Sequence, residues 1–247
     1  MASRPGNLYV VATPIGNLDD MTARACDVLA KVDLVAAEDT RRAGQLLTRL
    51  GVKKRLISLH EHNEESRVDQ ILDTLMSGQD VALISDAGTP LVSDPGFRLL
   101  SAARQKDLPV CPIPGSCAAI AALSIAGLPS DRFRFEGFLP TRAGPRAKRL
   151  EYLGEVPETL ILYESVHRIV ETLADLEQVL GPDREMTLAR ELTKLHETIY
   201  RGSISSVREQ LNADPGGAKG EFTLVIAGCQ TPAGERGSVD GRGSKER

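Results

Sequence analysis

Four short stretches carry residues whose types and spacing could do chemistry. Glu38-Asp39-Thr40-Arg41-Arg42 sets two carboxylates beside two guanidiniums, a combination that can accept a proton or hold a phosphate. Asp86-Ala-Gly88-Thr89-Pro90 arranges a carboxylate and a hydroxyl around a glycine, which lets backbone approach a bound group closely. Ser116-Cys117 opens one apolar segment, and Glu164-Ser165 closes another. Two basic runs add a second theme. Arg41, Arg42, Arg49, Lys53, Lys54 and Arg55 fall between 40 and 55 with no acid among them, and Arg142, Arg146, Lys148 and Arg149 follow Pro140 in the same way. Such runs suit a phosphate backbone, and equally a solvated helix face or a mobile surface loop.

Each acidic stretch sits where a strand has to end. Val81-Ala-Leu-Ile84 is apolar at four successive positions, which suits a strand buried on both faces of a parallel sheet. The Asp, Gly and Pro that follow force a loop, and Asp94-Pro95-Gly96 reads as an N-cap with proline at the first helical position. Ligands of open α/β sheets gather just beyond the carboxyl ends of the strands, so this loop is a candidate site. A tight strand-to-helix turn would use the same residues.

The rest of the first half repeats the pattern. Leu8 to Ala12 reads as the first strand and runs into Thr13-Pro14-Ile15-Gly16, without the GxGxxG of dinucleotide-binding folds. Thr22 caps the next helix, Asp33 to Ala37 is a second strand, and Asp39 or Thr40 could cap the helix after it. Arg55 to Leu59 is a third strand. His60 and His62 follow it, but Asn63 as the cap of a helix reaching Met76 accounts for that segment without a metal. Pro109 to Pro112 makes a fifth strand, and Pro114 to Ala126 opens into a buried helix whose free N–H groups could seat a carboxylate or a ribose hydroxyl. This alternation over 8–126 predicts a parallel sheet with crossover helices.

The second half changes character. Strands are expected over Phe133–Phe138, Thr159–Tyr163, Glu185–Glu191, Glu197–Arg201 and from Lys219-Gly-Glu-Phe222 to Ala227, with a helix around His167 and Arg168 and another over Ser203–Asn212. Fewer crossovers imply a mixed sheet. The expected α/β organisation is an N-terminal domain over 1–127, a C-terminal domain over 128–230, and a disordered tail over 231–247 rich in Gly, Ser, Arg and Glu.

The totals narrow the function classes. With 247 residues, 41% hydrophobic and 26% charged, this is a globular composition. A net charge of −4 argues against a protein that coats nucleic acid nonspecifically, and 4% aromatics with no Trp leave any RNA contact to Arg, Lys and backbone. Cys26, Cys111, Cys117 and Cys229 show neither CxxC pairing nor zinc-like spacing. The first apolar run is too short for a signal peptide or a membrane span, so the cytoplasm is the expected compartment.

In order along the chain come Ala12-Thr-Pro-Ile-Gly-Asn-Leu18, Ala37-Glu-Asp-Thr-Arg41, Ile84-Ser-Asp-Ala-Gly-Thr-Pro-Leu-Val-Ser-Asp-Pro-Gly96 and Pro114-Gly-Ser-Cys-Ala118. Gly137-Phe-Leu-Pro140, Tyr163-Glu-Ser165 with His167-Arg168, Ala189-Arg-Glu-Leu-Thr-Lys194 and Lys219-Gly-Glu-Phe222 follow. Together they resemble the tetrapyrrole-methylase superfamily and, more narrowly, the RsmI family of ribosomal RNA small subunit (cytidine-2′-O-)-methyltransferases. Val166 departs from that pattern, where proline is usual, and so does Cys117, where other small residues stand. The resemblance implies two α/β domains with S-adenosylmethionine in the cleft between them. It assigns the cofactor to Pro14 and Ile15, to Asp86, Gly88, Thr89 and Pro90, to Ser116 and Cys117, and to Tyr163 and Leu188. It implies methylation of a cytidine ribose in the decoding region of 16S rRNA, presented on the assembled small subunit, by a homodimer with no membrane attachment. Within that scheme Asp39 is expected as base or positioner and Arg41 as substrate clamp, with Glu38 and Glu164 as the other strand-end carboxylates. Arg41, Arg42, Arg142, Arg146, Lys148 and Arg149 are expected to face RNA. The rival expectations are methylation of a tetrapyrrole or a protein carboxylate, and a nonenzymatic ribosome-assembly protein with the same fold.

Overall fold

A computed structural model describes residues 4–229; the tail expected over 231–247 lies outside the described residues. Ten strands form two five-stranded sheets. The first contains β1 (Leu8–Val11), β2 (Leu34–Ala37), β3 (Arg55–Ser58), β4 (Val81–Ile84) and β5 (Val110–Ile113), all parallel, in the order β3-β2-β4-β1-β5. Its crossovers are the helices α1 (Ala23–Lys31), α2 (Thr40–Arg49), α3 (Glu64–Met76) and α4 (Phe97–Gln105). Alternation along β4 shows why the strand is apolar throughout. Val81 and Leu83 pack toward α3 and α4, while Ala82 and Ile84 pack toward α1 and α2.

The second sheet contains β6 (Phe133–Phe138), β7 (Thr159–Ser165), β8 (Glu185–Arg190), β9 (Thr198–Ser203) and β10 (Glu221–Ile226), in the order β6-β7-β10-β8-β9. Only the β6–β7 pair is parallel, so the sheet is mixed as expected. Its outer face carries α6 (Ala143–Gly154), α7 (Ile169–Leu180) and α8 (Ile204–Ala213) over a core that includes Leu150, Leu173, Val207 and Leu224. Helix α5 (Ala118–Ala126) covers the other face. Its Ala119, Ala122 and Leu123 pack on Ile161, Ala189 and Val225, and Ile15 of the first unit joins them. The helix expected to close the N-terminal domain is therefore layered on the second sheet. It is also only partly buried, for Ile120 and Ile125 are exposed.

Three local expectations are corrected. The basic segment after Pro140 is helix α6 rather than a loop. Helix α4 begins at Phe97, not at Pro95, with Gly96 as its N-cap at φ 124° and with no side chain of its own segment capping it. Asp94 is thus not the cap. Glu64, buried at the start of α3, supplies the missing acceptor: its Oε1 takes the N–H of Arg98 at 2.8 Å and of Leu99 at 3.3 Å. Asn63 precedes α3 but its side chain does not cap that helix; its Oδ1 accepts from the His60 N–H instead.

Candidate active site

The loops leaving β1, β4 and β5 are laced together at the carboxyl edge of the first sheet. Thr13 and Gly88 exchange both backbone hydrogen bonds, at 2.8 and 3.1 Å, and the Thr89 hydroxyl donates to the Ser116 carbonyl at 3.0 Å. Gly88 has φ 85°, and a Cβ there would stand 3.2 Å from Ile15, so a side chain would be both strained and crowded. Between these loops and the inner face of the second sheet lies a cavity of about 380 Å³. The lobes also touch directly at its edge. A Cβ on Gly16 would lie 2.4 Å from the Lys194 side chain, and the Asn17 N–H donates to the Thr193 hydroxyl.

The cavity wall takes Ile15, Asp86, Gly88, Thr89, Cys117 and Tyr163 from the residues expected on cofactor. The lining passes through Ile15 rather than Pro14, Thr89 rather than Pro90, and Cys117 rather than Ser116, which leaves those three one position behind it. Leu188 is a correction. It is fully buried in the outer core beside α6–α8, while its neighbour Ala189 faces the cavity, because successive side chains on a strand point to opposite faces. Tyr163 is held in place by the rings of Phe135 and Phe138, with centroids at 5.0 and 5.8 Å, and its hydroxyl accepts the Ala119 N–H at the start of α5. Burial pushes its hydroxyl above the usual tyrosine range.

Five acidic residues line the cavity, Glu38, Asp86, Asp94, Glu164 and Glu221, against two basic ones, Arg42 and Lys194. Their states differ. Asp86 accepts the Asp39 N–H and pairs with Arg42 at 3.1 Å. Glu38 is pushed up by burial and then by the neighbouring Asp86. Asp94 rises to about 6, chiefly through burial, then through Glu38 and Asp86, with the Ser85 hydroxyl acting in the opposite direction. Lys194 bridges Glu191 at 2.9 Å and Glu221 at 2.7 Å.

The residues expected to carry the chemistry stand elsewhere. Asp39 does cap α2, accepting the Arg41 N–H, but its carboxylate is gripped by the Arg41 guanidinium at 3.1 and 2.7 Å and is absent from the cavity wall. Those bonds hold it below the usual carboxylate range. Glu164 lines the cavity, yet its buried carboxylate is already occupied by the Ser165 N–H, Arg168 and Thr172. Among the expected RNA contacts, Arg41, Arg42, Arg142 and Lys148 are exposed, while Arg149 is half-buried against Glu136 and lies 5.0 Å from the Tyr152 ring. Arg146 is corrected outright: it is 0% exposed and pairs with Asp175 and Glu171 of α7. A charge buried this deeply fixes α6 to α7.

Sequence reasoning missed Asp94, Lys194 and Glu221 as cavity residues. Their signals were present, because Asp94 belongs to the long motif after β4, and Lys194 and Glu221 belong to the Ala189–Lys194 and Lys219–Phe222 motifs.

The family model of the tetrapyrrole (corrin/porphyrin) methylases matches residues 7–208. The chain is 52% identical over 228 residues to the ribosomal RNA small subunit methyltransferase I of Pasteurella multocida, covering 92% of this chain and 81% of that protein. It is 52% identical over 230 residues to the protein of the same name from Pseudomonas aeruginosa, covering 93% and 82%. Among solved structures, a uroporphyrin-III-C-methyltransferase from Thermus thermophilus superposes with a TM-score of 0.58 at 22% identity, covering 90% of this chain and 94% of that one.

Proposed function

This chain belongs to the tetrapyrrole methylase family and, within it, to the ribosomal RNA small subunit methyltransferase I proteins, and on that premise we propose that it methylates 16S rRNA from S-adenosylmethionine. The acceptor in this reading is the ribose 2′-hydroxyl of a cytidine in the decoding region, offered by the assembled small subunit. The working form is a cytoplasmic homodimer; exposed Val110 on edge strand β5, with Ile120 and Ile125 on α5, suits the pairing of two copies. No helix among the described residues is long and apolar enough to cross a membrane.

The observation that carries the reading is the cavity between the sheets. Its volume is that of a small-molecule site, and its excess of carboxylates suits a cation. S-adenosylmethionine supplies, when bound, a methyl group already activated by a positive sulfur. The chain's own task is then alignment and proton removal. Gly88 lets backbone lie against the bound group, and Asp86, fixed by Asp39 and Arg42, offers a carboxylate acceptor. Pro14 and Pro90, one position behind the wall, hold their loops in shape before anything binds, reducing the ordering cost. Ile15, Ala189 and Leu192 exclude water from the second side. Arg41, tethered to Asp39 at the rim, with exposed Arg142 just before α6 and Lys148 on it, supply the positive charge for RNA phosphates.

The test pairs two measurements. Calorimetry with S-adenosylhomocysteine is expected to give one site per chain, and tritiated methyl transfer to undermethylated small subunits is expected to yield label in 2′-O-methylcytidine. Arg142→Glu with Lys148→Glu should raise the KM for subunits about tenfold and leave the calorimetric affinity unchanged. Label in a base or in protein, or tight subunit binding without any label, would overturn the reading.

A further inference from the structure

The geometry points to a second seat for RNA outside the cavity, a groove beside Leu195, His196 and Lys219 that takes the nucleotide next to the target; it deepens the rRNA methylation proposed above and rests on it. The groove is open, about 520 Å³, and is walled by Arg190, by the segment 195–198 and by the loop carrying Asp214, Gly216 and Lys219. Two chain segments pass directly from the cavity into it. Leu192 and Lys194 line the cavity while Leu195 and His196 line the groove, and Glu221 lines the cavity while Lys219 lines the groove. The two sites therefore share one ridge, the turn 191–197 between β8 and β9. Consecutive Cα atoms stand about 3.8 Å apart, so the crossing from Lys194 to Leu195 is no longer than one nucleotide.

The ridge is fixed from both lobes. Glu191 at φ 52° and Thr193 at φ 65° hold left-handed backbone without being glycine, which persists only where the surroundings enforce it. Here the Thr193 N–H donates to the Glu197 carboxylate at 2.6 Å, and the Lys194 ammonium is tied to Glu191 and Glu221. From the first lobe Gly16 presses on the Lys194 side chain, and the Asn17 N–H donates to the Thr193 hydroxyl at 3.2 Å. On this braced turn Leu195 is 92% exposed, more than Phe97 at 75%. A lone exposed leucine needs no explanation. What sets Leu195 apart is the immobile backbone beneath it, the exposed imidazole of His196 beside it and the cavity one residue away.

The charges of the groove are sorted in the same sense. Both of its acids are committed within the protein. Glu197 holds the Thr193 N–H, while Asp214 accepts the Tyr200 hydroxyl at 2.6 Å and the Gly216 N–H at 2.9 Å. Arg190 is buried and donates its Nε–H to the Lys219 carbonyl at 2.6 Å. His196 and Lys219 are exposed, and neither side chain has an ion-pair partner among the described residues. The groove thus offers outward an apolar contact, a flat ring and an ammonium. That set matches a single-stranded nucleotide, whose base stacks on such a surface whatever its identity and whose phosphate takes a free lysine. A protein partner would call for a packed apolar centre inside a polar rim, and a single leucine among polar side chains does not supply one. Leu195 and His196 are positioning residues: a flanking base held on the ridge keeps the target ribose from sliding along the cavity.

The experiment uses the full chain, undermethylated small subunits and two sets of variants at exposed positions. Leu195→Ser with His196→Ser should raise the KM for subunits about tenfold. The steepness with which subunit affinity falls as salt rises should not change, because no phosphate contact is lost. Lys219→Ala should raise the KM about threefold and reduce that log–log slope by about 0.7, the effect of one phosphate contact on a single strand. Calorimetric affinity for S-adenosylhomocysteine should stay within about twofold of wild type in both. A photoreactive benzophenone side chain in place of Leu195 should cross-link to the rRNA nucleotide adjacent to the methylated cytidine. A double variant with the wild-type KM would overturn the groove alone, as would a matching loss of cofactor affinity, or a cross-link to distant rRNA, a ribosomal protein or a second copy of this chain. A wild-type chain that transfers no methyl to ribose would overturn the reading beneath it as well.

Discussion

The exits of β2 and β4 each bring an aspartate to the threshold of a helix, and the two are used in opposite ways. Asp39 caps α2, is chelated by Arg41 and sits outside the cavity, fully ionised. Asp94 leaves α4 uncapped by its own segment, has no cationic partner among the described residues and faces the cavity with a raised affinity for its proton. The residue type is the same, and each stands just ahead of its helix, Asp39 one residue before α2 and Asp94 three before α4. What separates them is whether another part of the chain relieves the aspartate of its local duty. At β2 nothing among the described residues does; at β4 Glu64 does, 34 residues upstream of the Arg98 whose N–H it accepts. Local chemistry sets the default, and a single distant carboxylate overrides it.

The sharpest way to break that contrast is at Glu64. Glu64→Ala leaves two N–H groups of α4 without their acceptor in a buried setting and should cost about 1–2 kcal/mol, lowering the thermal midpoint by about 3–6 °C. A variant as stable as its parent would mean that Asp94 can swing in to cap α4. The next effect belongs to Asp94 itself. An ordinary aspartate loses its proton near 3.8 and Asp94 near 6, so between those values the native state holds more protons than the unfolded chain. Native stability therefore falls as pH rises through that window, and the full penalty is present above it. Asp94→Asn removes the titration. Its stability gain over wild type should be about 1 kcal/mol at pH 7.5, allowing for solvent screening of a partly exposed group, and absent near pH 4. Chemical denaturation at the two pH values checks this, and an equal gain at both would contradict it. The smallest effect is expected at Asp39. Asn also caps helices, so Asp39→Asn keeps α2 but frees Arg41, raising the KM for small subunits about two- to threefold with kcat unchanged. A tenfold fall in kcat would return Asp39 to the chemistry.

The elements were largely legible because their signals are local. The apolar run at Val81–Ile84, the Thr22 cap and the alternation of strands and helices before residue 127 all reappear in the fold. The site was legible to the level of loops but not of individual side chains. Leu188 is on the right strand and the wrong face, a displacement of one residue that no propensity reveals. Arg146 reads as part of a basic surface because its partners, Glu171 and Asp175, come from the next helix. Glu164 reads as a free strand-end acid because Thr172 and Arg168 reach it only after α7 has packed. In each case the deciding contact lies across the fold.

The position of β10 carries a consequence for how the protein is made. This strand runs antiparallel between β7 and β8, which do not pair with one another. Until residues 221–226 have left the ribosome, the second sheet exists only as two separate ribbons, β6–β7 and β8–β9, each with an open edge. Tyr163 and Ala189, on the two strands that flank β10, acquire their common orientation toward the cavity at that late moment. A nascent chain of this kind has no closed cavity between its lobes until that point, and the cavity forms abruptly with the threading of one strand.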